Sequence, residues 1–94
     1  MNDLVLKNKN CLITGATGGI GKEIAIDLAK KSCNIFLTST NSKKLEQLKK
    51  QLKNINHKIK IESFPTDLTI KQNIDELINT INEKFQSLDI LINS

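Results

Sequence analysis

Arginine, tyrosine and tryptophan are absent from these 94 residues, and proline occurs once. All 14 basic side chains are therefore lysines, and they leave a formal net charge of +4. A basic chain invites a nucleic-acid partner, but the side chain that forks onto guanine edges is missing. Three Phe are the only aromatics, so there is no platform for stacking bases either. No nucleic acid is expected. No apolar run approaches the ~18 residues of a membrane span, and no membrane partner is expected. The start, Met1-Asn2-Asp3-Leu4, lacks the charged-then-apolar layout of a secretory leader. A cytoplasmic protein is the expectation. Cysteine is scarce: Cys11 and Cys33 form no Cys-x-x-Cys pair, and the lone His57 cannot complete a metal site with them. Both thiols are read as small buried apolar groups, with no metal ligated, and His57 as exposed and idle in a polar turn.

What is present is ordinary for a folded domain: 38% hydrophobic and 26% charged residues. Residues 1–94 make one domain at most. A chain of this size buries roughly 60–70% of its unfolded surface, so its core is thin.

The order of elements carries the architecture. Asn10 to Thr14 is a short apolar run that ends at a glycine cluster, a buried strand. From Gly19 to Lys31, Ile20, Ile24 and Leu28 recur with Ala25 and Ala29 as one face of a helix. Asn34 to Ser39 is a second strand. Leu45, Leu48, Leu52 and Ile55 mark a second helix, capped by Asn41 or Ser42. Lys58 to Phe64 alternates with period two, a third strand that Pro65 and Asp67 break. Thr69-Ile70-Lys71-Gln72 has the form of a capping box, and the helix after it sends Ile74, Leu77, Ile78, Ile81 and Phe85 toward a core. Ile90-Leu91-Ile92 is a last apolar strand. Strands alternating with helices predict an α/β fold with a parallel sheet. Right-handed crossovers put the first two helices on one face and the third on the other. The expected strand order is 3-2-1-4, the first half of a Rossmann fold up to its switch point.

Chemistry concentrates in Thr14-Gly15-Ala16-Thr17-Gly18-Gly19-Ile20-Gly21, between a strand and a helix, where a phosphate-binding loop belongs. Gly15 makes the tight turn, a missing Cβ lets backbone approach a pyrophosphate, and Gly21 lets the helix pack close. The helix N-terminus adds free N–H groups and about half a positive charge. A Walker loop is ruled out, because Ala16 stands at its first glycine and Glu23 where magnesium needs a hydroxyl. The Gly-x-Gly-x-x-Gly spacing fails as well. Thr-Gly-x-x-x-Gly-x-Gly fits, as Thr14, Gly15, Gly19 and Gly21.

With this loop, Asp67-Leu68 after the third strand, and Leu88-Asp89-Ile90-Leu91-Ile92-Asn93 at the end, the whole chain resembles the short-chain dehydrogenases/reductases. The resemblance implies an NAD(P)-binding Rossmann domain over residues 1–94, truncated at the end of the fourth strand. It implies that Gly15, Ala16, Thr17, Gly18, Gly19, Ile20 and Gly21 hold the dinucleotide, with Asp67 and Leu68 at the adenine ring. Asn93 matches the first residue of the family's Asn-Asn-Ala-Gly motif, and Ser94 stands at the second. Gly15, Gly18 and Gly21 also satisfy Gly-x-x-Gly-x-x-Gly, which resembles the two-domain branch of sugar-nucleotide epimerases and dehydratases. The final segment is more similar to the single-domain branch, which includes 3-oxoacyl-(acyl carrier protein) reductases.

At the end of the second strand an NAD-specific site usually places an acid against the ribose hydroxyls. Here Ser39, Thr40 and Asn41 stand there instead, followed by Lys43 and Lys44. Hydroxyls, an amide and a lysine suit a 2′-phosphate, so NADP is expected over NAD. The alternative is that these residues cap the next helix and the lysines are solvated.

The family's reductases resemble one another in a Ser…Tyr-x-x-x-Lys set, and this chain holds no Tyr. It has no catalytic residue to offer and is expected to bind nucleotide without turnover. Its parent enzyme would act on a carbonyl or alcohol, with an acyl-carrier-bound substrate leading by family frequency, and would be a homo-oligomer. A non-catalytic nucleotide-binding module and a non-functional relic are the alternatives.

Overall fold

The computed structural model describes residues 3–94, so the reading of Met1 and Asn2 lies outside the described residues. The elements are α1 (Asp3–Leu6), β1 (Asn10–Thr14), α2 (Gly19–Lys30), β2 (Asn34–Ser39), α3 (Ser42–Ile55), β3 (Ile61–Pro65), α4 (Lys71–Lys84) and β4 (Ile90–Asn93). All strand pairs are parallel, in the order β3-β2-β1-β4, as expected. Among the described residues no helix is long and apolar enough to cross a membrane.

Side chains alternate across the sheet and build two cores. Cys11 and Ile13 of β1, with Ile35 and Leu37 of β2, pack with Ala25, Leu28 and Ala29 of α2 and with Leu45, Leu48 and Leu52 of α3. Leu12 and Phe36, on the opposite face, pack with Leu77, Ile81 and Phe85 at α4. Phe36 and Phe85 meet edge to face, 5.9 Å between centroids. The first two long helices therefore lie on one face and the third on the other. Both cysteines are buried free thiols. Burial, and then the neighbouring Cys33, push the Cys11 thiol up to about 12.

Four readings of the sequence need correction. Ile20 does not join the buried stripe of α2, being 75% exposed; Gly21, Ala25, Leu28 and Ala29 form that stripe. Ile74 and Ile78 of α4 also face outward, because Leu77, Ile81 and Phe85 already fill its contact with the sheet. The capping box at Thr69 is not formed: Ile70 is the N-cap of α4 and offers no side-chain bond. The Thr69 hydroxyl and N–H both donate to Asp67 Oδ1 instead, at 2.7 and 2.9 Å, an Asx turn that competes with the cap. Finally, β3 starts three residues late and keeps Pro65. Lys58 N–H turns back onto Asn56 Oδ1, while Pro65 is tolerated because β3 is an edge strand.

A row of side-chain amides ties the amino ends of the strands together. Lys60 N–H donates to Asn34 Oδ1 (2.9 Å), Asn34 Nδ2 to Asn10 Oδ1 (3.0 Å), and Asn10 Nδ2 to Ser87 O (2.8 Å). Asp89 closes the row by accepting the Asn10 backbone N–H at 2.8 Å. Each bond runs between segments at least 24 residues apart, so no local pattern announces it.

Candidate functional site

β2 and β3 lie to one side of β1 and β4 to the other. In such a sheet the two crossovers leaving β1 and β3 diverge, and a crevice opens outside the carboxyl ends of the strands. A cleft of about 860 Å³ lies there. It falls in the size range of small-molecule and cofactor sites.

The glycine loop forms one wall. Gly15 has φ +60°, in the left-handed region that favours glycine, and a Cβ there would stand 2.2 Å from Ser94 O. Gly21 meets the same corner from the helix: its Cβ would sit 2.5 Å from Gly15 O and 2.6 Å from Ser94 Oγ. These two glycines are thus required by the protein's own packing. Gly19 differs, with nothing within 4 Å of its Cβ position. Its bare backbone opens α2 beside the cleft, so free N–H groups and the positive helix end are presented to whatever fills that space. The exposure of Ile20, which contradicted the helix periodicity, follows from its place in this lining.

Of the residues expected at the site, Gly15, Thr17, Gly18, Gly19, Ile20, Gly21, Ser39, Thr40, Leu68 and Asn93 line the cleft together. Ala16, Asn41 and Asp67 do not. Ala16 is buried, and its N–H donates to Thr38 O at 3.1 Å, pinning the loop to β2. Asn41 caps α3, its Oδ1 accepting from Lys44 N–H at 3.0 Å, as the capping alternative holds. Asp67 is turned into its own loop by Thr69. The Thr69 hydroxyl, and then its N–H, hold the carboxyl of Asp67 below its ordinary range.

Sequence reasoning missed Ile24, Thr38, Thr66 and Ile92, which also line the cleft. Thr38, Thr66 and Ile92 could have been found from one signal, since each stands at or beside the carboxyl end of a parallel strand. At the end of β4, the Thr14 hydroxyl donates to Asn93 Oδ1 at 2.7 Å and Ser94 Oγ donates to Thr14 O at 2.8 Å. At the end of β2, Ser39 Oγ accepts from the Thr17 hydroxyl and from Asn41 N–H, both at 3.1 Å. With its acceptor capacity used, the Ser39 hydroxyl has its own proton to give outward.

A dinucleotide fits this arrangement. The open backbone at Gly19 and the α2 N-terminus suit a pyrophosphate, and the Ser39 and Thr40 hydroxyls suit a ribose and its substituents. No carboxylate is among the residues lining the cleft.

Comparison with known proteins agrees. The family profile described as short chain dehydrogenase matches residues 9–94. An uncharacterized oxidoreductase of Staphylococcus aureus (strain USA300) is 39% identical over 90 residues, which is 96% of this chain and 37% of that protein. The chain thus spans little more than a third of that relative's length. L-Sorbose reductase from Gluconobacter frateurii, solved with NADPH and L-sorbose, superposes with a TM-score of 0.89 at 26% identity, over 95% of this chain and 34% of that one. An NADH-dependent reductase solved with NAD gives 0.85 at 31% identity, over 98% and 38%. A parallel sheet in this order, a glycine cradle at its switch point and a family match over nearly the whole length leave one conclusion: the chain belongs to the short-chain dehydrogenases/reductases.

Proposed function

We propose that this chain is the cofactor-binding part of an oxidoreductase that moves a hydride between NADP(H) and a carbonyl or alcohol substrate. The observation that carries the reading is the cleft itself: Gly19 opens its backbone to it, and hydroxyls rather than an acid line it at the end of β2. An acid there would repel a 2′-phosphate, whereas Ser39 and Thr40 can donate to one. The dinucleotide supplies the hydride when bound. Gly15, Gly18, Gly19 and Gly21 shape the bed for its phosphates, Ser39 and Thr40 meet the adenosine ribose, and Asn93 and Ser94 border the far end. Asp67 is proposed at the adenine edge by family resemblance, through the wall that Thr66 and Leu68 provide.

No tyrosine is present to act as a general acid, so the chain alone holds the cofactor and does not reduce a carbonyl. In a protein of the relatives' length, a 3-oxoacyl group on an acyl carrier is the leading substrate within the carbonyl class, by resemblance, and the assembly is a homo-oligomer in the cytoplasm. Calorimetric titration with NADPH and NADH tests the reading. Saturable NADPH binding tighter than NADH, with NADPH absorbance unchanged on adding a 3-oxoacyl thioester, is the expected result. Equal or tighter NADH binding would overturn the cofactor choice, and NADPH oxidation by this chain would overturn the division of labour.

A further inference from the structure

Beside the main cleft lies a second hollow of about 210 Å³, lined by Thr17, Lys22, Lys44, Gln47, Leu48 and Gln51. Thr17 lines both spaces. Its hydroxyl bonds Ser39 across the gap between the glycine loop and the end of β2. The hollow therefore opens where the ribose end of the main cleft stops.

Its charge pattern is unusual for a protein surface. Lys22 is in the first turn of α2 and Lys44 in the first turn of α3, and neither helix has an acidic residue there. Both helix ends are positive, so a cation in the first turn is repelled where a carboxylate would be attracted. The one ion pair among the described residues joins Asp27 and Lys31, so it compensates neither Lys22 nor Lys44. An anion between them would relieve both repulsions. On α3, Lys44, Gln47, Leu48 and Gln51 follow the i, i+3, i+4, i+7 stripe, which turns one lysine and two amide donors toward the same space. No carboxylate is among the residues that line it.

We propose that this hollow receives the phosphate on the adenosine ribose of NADP(H), and that Lys22 and Lys44 are the residues that select NADP(H) over NAD(H). The inference rests on the NADP reading above and adds residues it did not include. Lys22 stands one residue past the last glycine of the loop, and the reading of the sequence gave it no role. Asn41 is committed to its cap, which leaves the lysines as the charge that meets the phosphate.

The test is calorimetric titration of the chain with NADPH and NADH, in wild type and in K22Q, K44Q, the double variant and K50Q. Lys50 is exposed on α3 outside the hollow and controls for net charge. Circular dichroism melts confirm that each variant is folded. Each single substitution should lower the NADPH-to-NADH affinity ratio about tenfold, the scale of one lost charge-assisted bond. The double variant should lower it further, K50Q should not move it, and added salt should shrink the wild-type ratio. A wild-type preference for NADPH that survives both substitutions would overturn the inference and leave the cofactor reading standing. So would a parallel loss of both dinucleotides. A wild type that prefers NADH, or binds neither, would overturn the reading and the inference together.

Discussion

Adding one methyl group at either of two neighbouring glycines should have opposite effects, which separates packing from ligand binding. At Gly21 an Ala Cβ would meet Gly15 O at 2.5 Å and Ser94 Oγ at 2.6 Å. The carbonyl is backbone and cannot rotate aside, so the loop must shift. Overpacking of this kind costs about 1–3 kcal/mol. Replacing glycine within a helix returns up to about 1 kcal/mol. With a backbone atom as the obstacle the upper half of the range applies, and Gly21→Ala should lose about 1–2 kcal/mol. For a domain of this size that is a fall in Tm of roughly 5–15 °C.

At Gly19 nothing stands within 4 Å of the new methyl group, and the residue opens α2. Only the helix gain remains, so Gly19→Ala should melt at or a few degrees above the wild type. The methyl group would occupy the space in which a pyrophosphate meets the backbone, and NADPH affinity should fall at least about tenfold, or about 1.4 kcal/mol. Melts with and without NADPH read both quantities. At a concentration of about 100 Kd the wild type gains about 2.7 kcal/mol from ligand, and a tenfold weaker variant gains about half of that. Gly21→Ala melting at the wild-type temperature would refute the packing argument. Gly19→Ala with undiminished ligand stabilisation would refute the placement of the phosphates.

Two further outcomes follow from titrating groups. Burial pushes the Cys11 thiol up to about 12 from an ordinary 9.0, so the folded state stays protonated where the unfolded state ionises. Stability should be level below pH 9.0 and fall as pH rises toward 12. Cys11→Ala should flatten part of that slope in urea titrations, and rapid alkylation of the native thiol below pH 9.0 would contradict it. For Asp67 the sign is reversed. Its folded value is lowered from 3.8, chiefly by the Thr69 hydroxyl, so its contribution is present above that value and lost as pH falls through the folded one. Thr69→Val should raise the Asp67 titration midpoint in carbon NMR, and an unmoved midpoint would show that the hydroxyl is not its partner.

Most of the sheet was legible because each strand carries its own signal. Alternation in Asn10–Thr14 and Asn34–Ser39 names two faces, and the sheet puts Cys11 and Ile13 on one and Leu12 on the other. The glycine spacing placed the cleft, because backbone clearance at Gly15 and Gly21 leaves no other residue room. The errors share a cause. Periodicity reports which side chains are apolar, not which have a neighbour. Ile20 borders the cleft, and Ile74 and Ile78 form a row with Ile70 that no described element covers. Thr69 illustrates a second limit: its hydroxyl could serve the helix or Asp67, and sequence spacing alone does not weigh the two. The four-residue helix α1 is too short for any period to show.

The two ends of the parallel sheet divide stability from function. At the amino ends, polar side chains bond to one another and to backbone: Asn34 bridges β3 and β1, and Asn10 and Asp89 lock β1 to the start of β4. That row spends the side-chain polarity of Asn10 and Asn34 on holding strands in register. At the carboxyl ends, Thr14, Ser39, Thr40, Thr66 and Asn93 line an open cleft instead. Their few mutual bonds orient them, as Thr17 does for Ser39, without using up their capacity. The positive helix ends that face this side would be unfavourable neighbours for Lys22 and Lys44 in a protein with nothing to bind. An anionic ligand at the carboxyl ends removes that conflict, and the amide row at the opposite ends keeps the strands aligned while the site stays open to receive it.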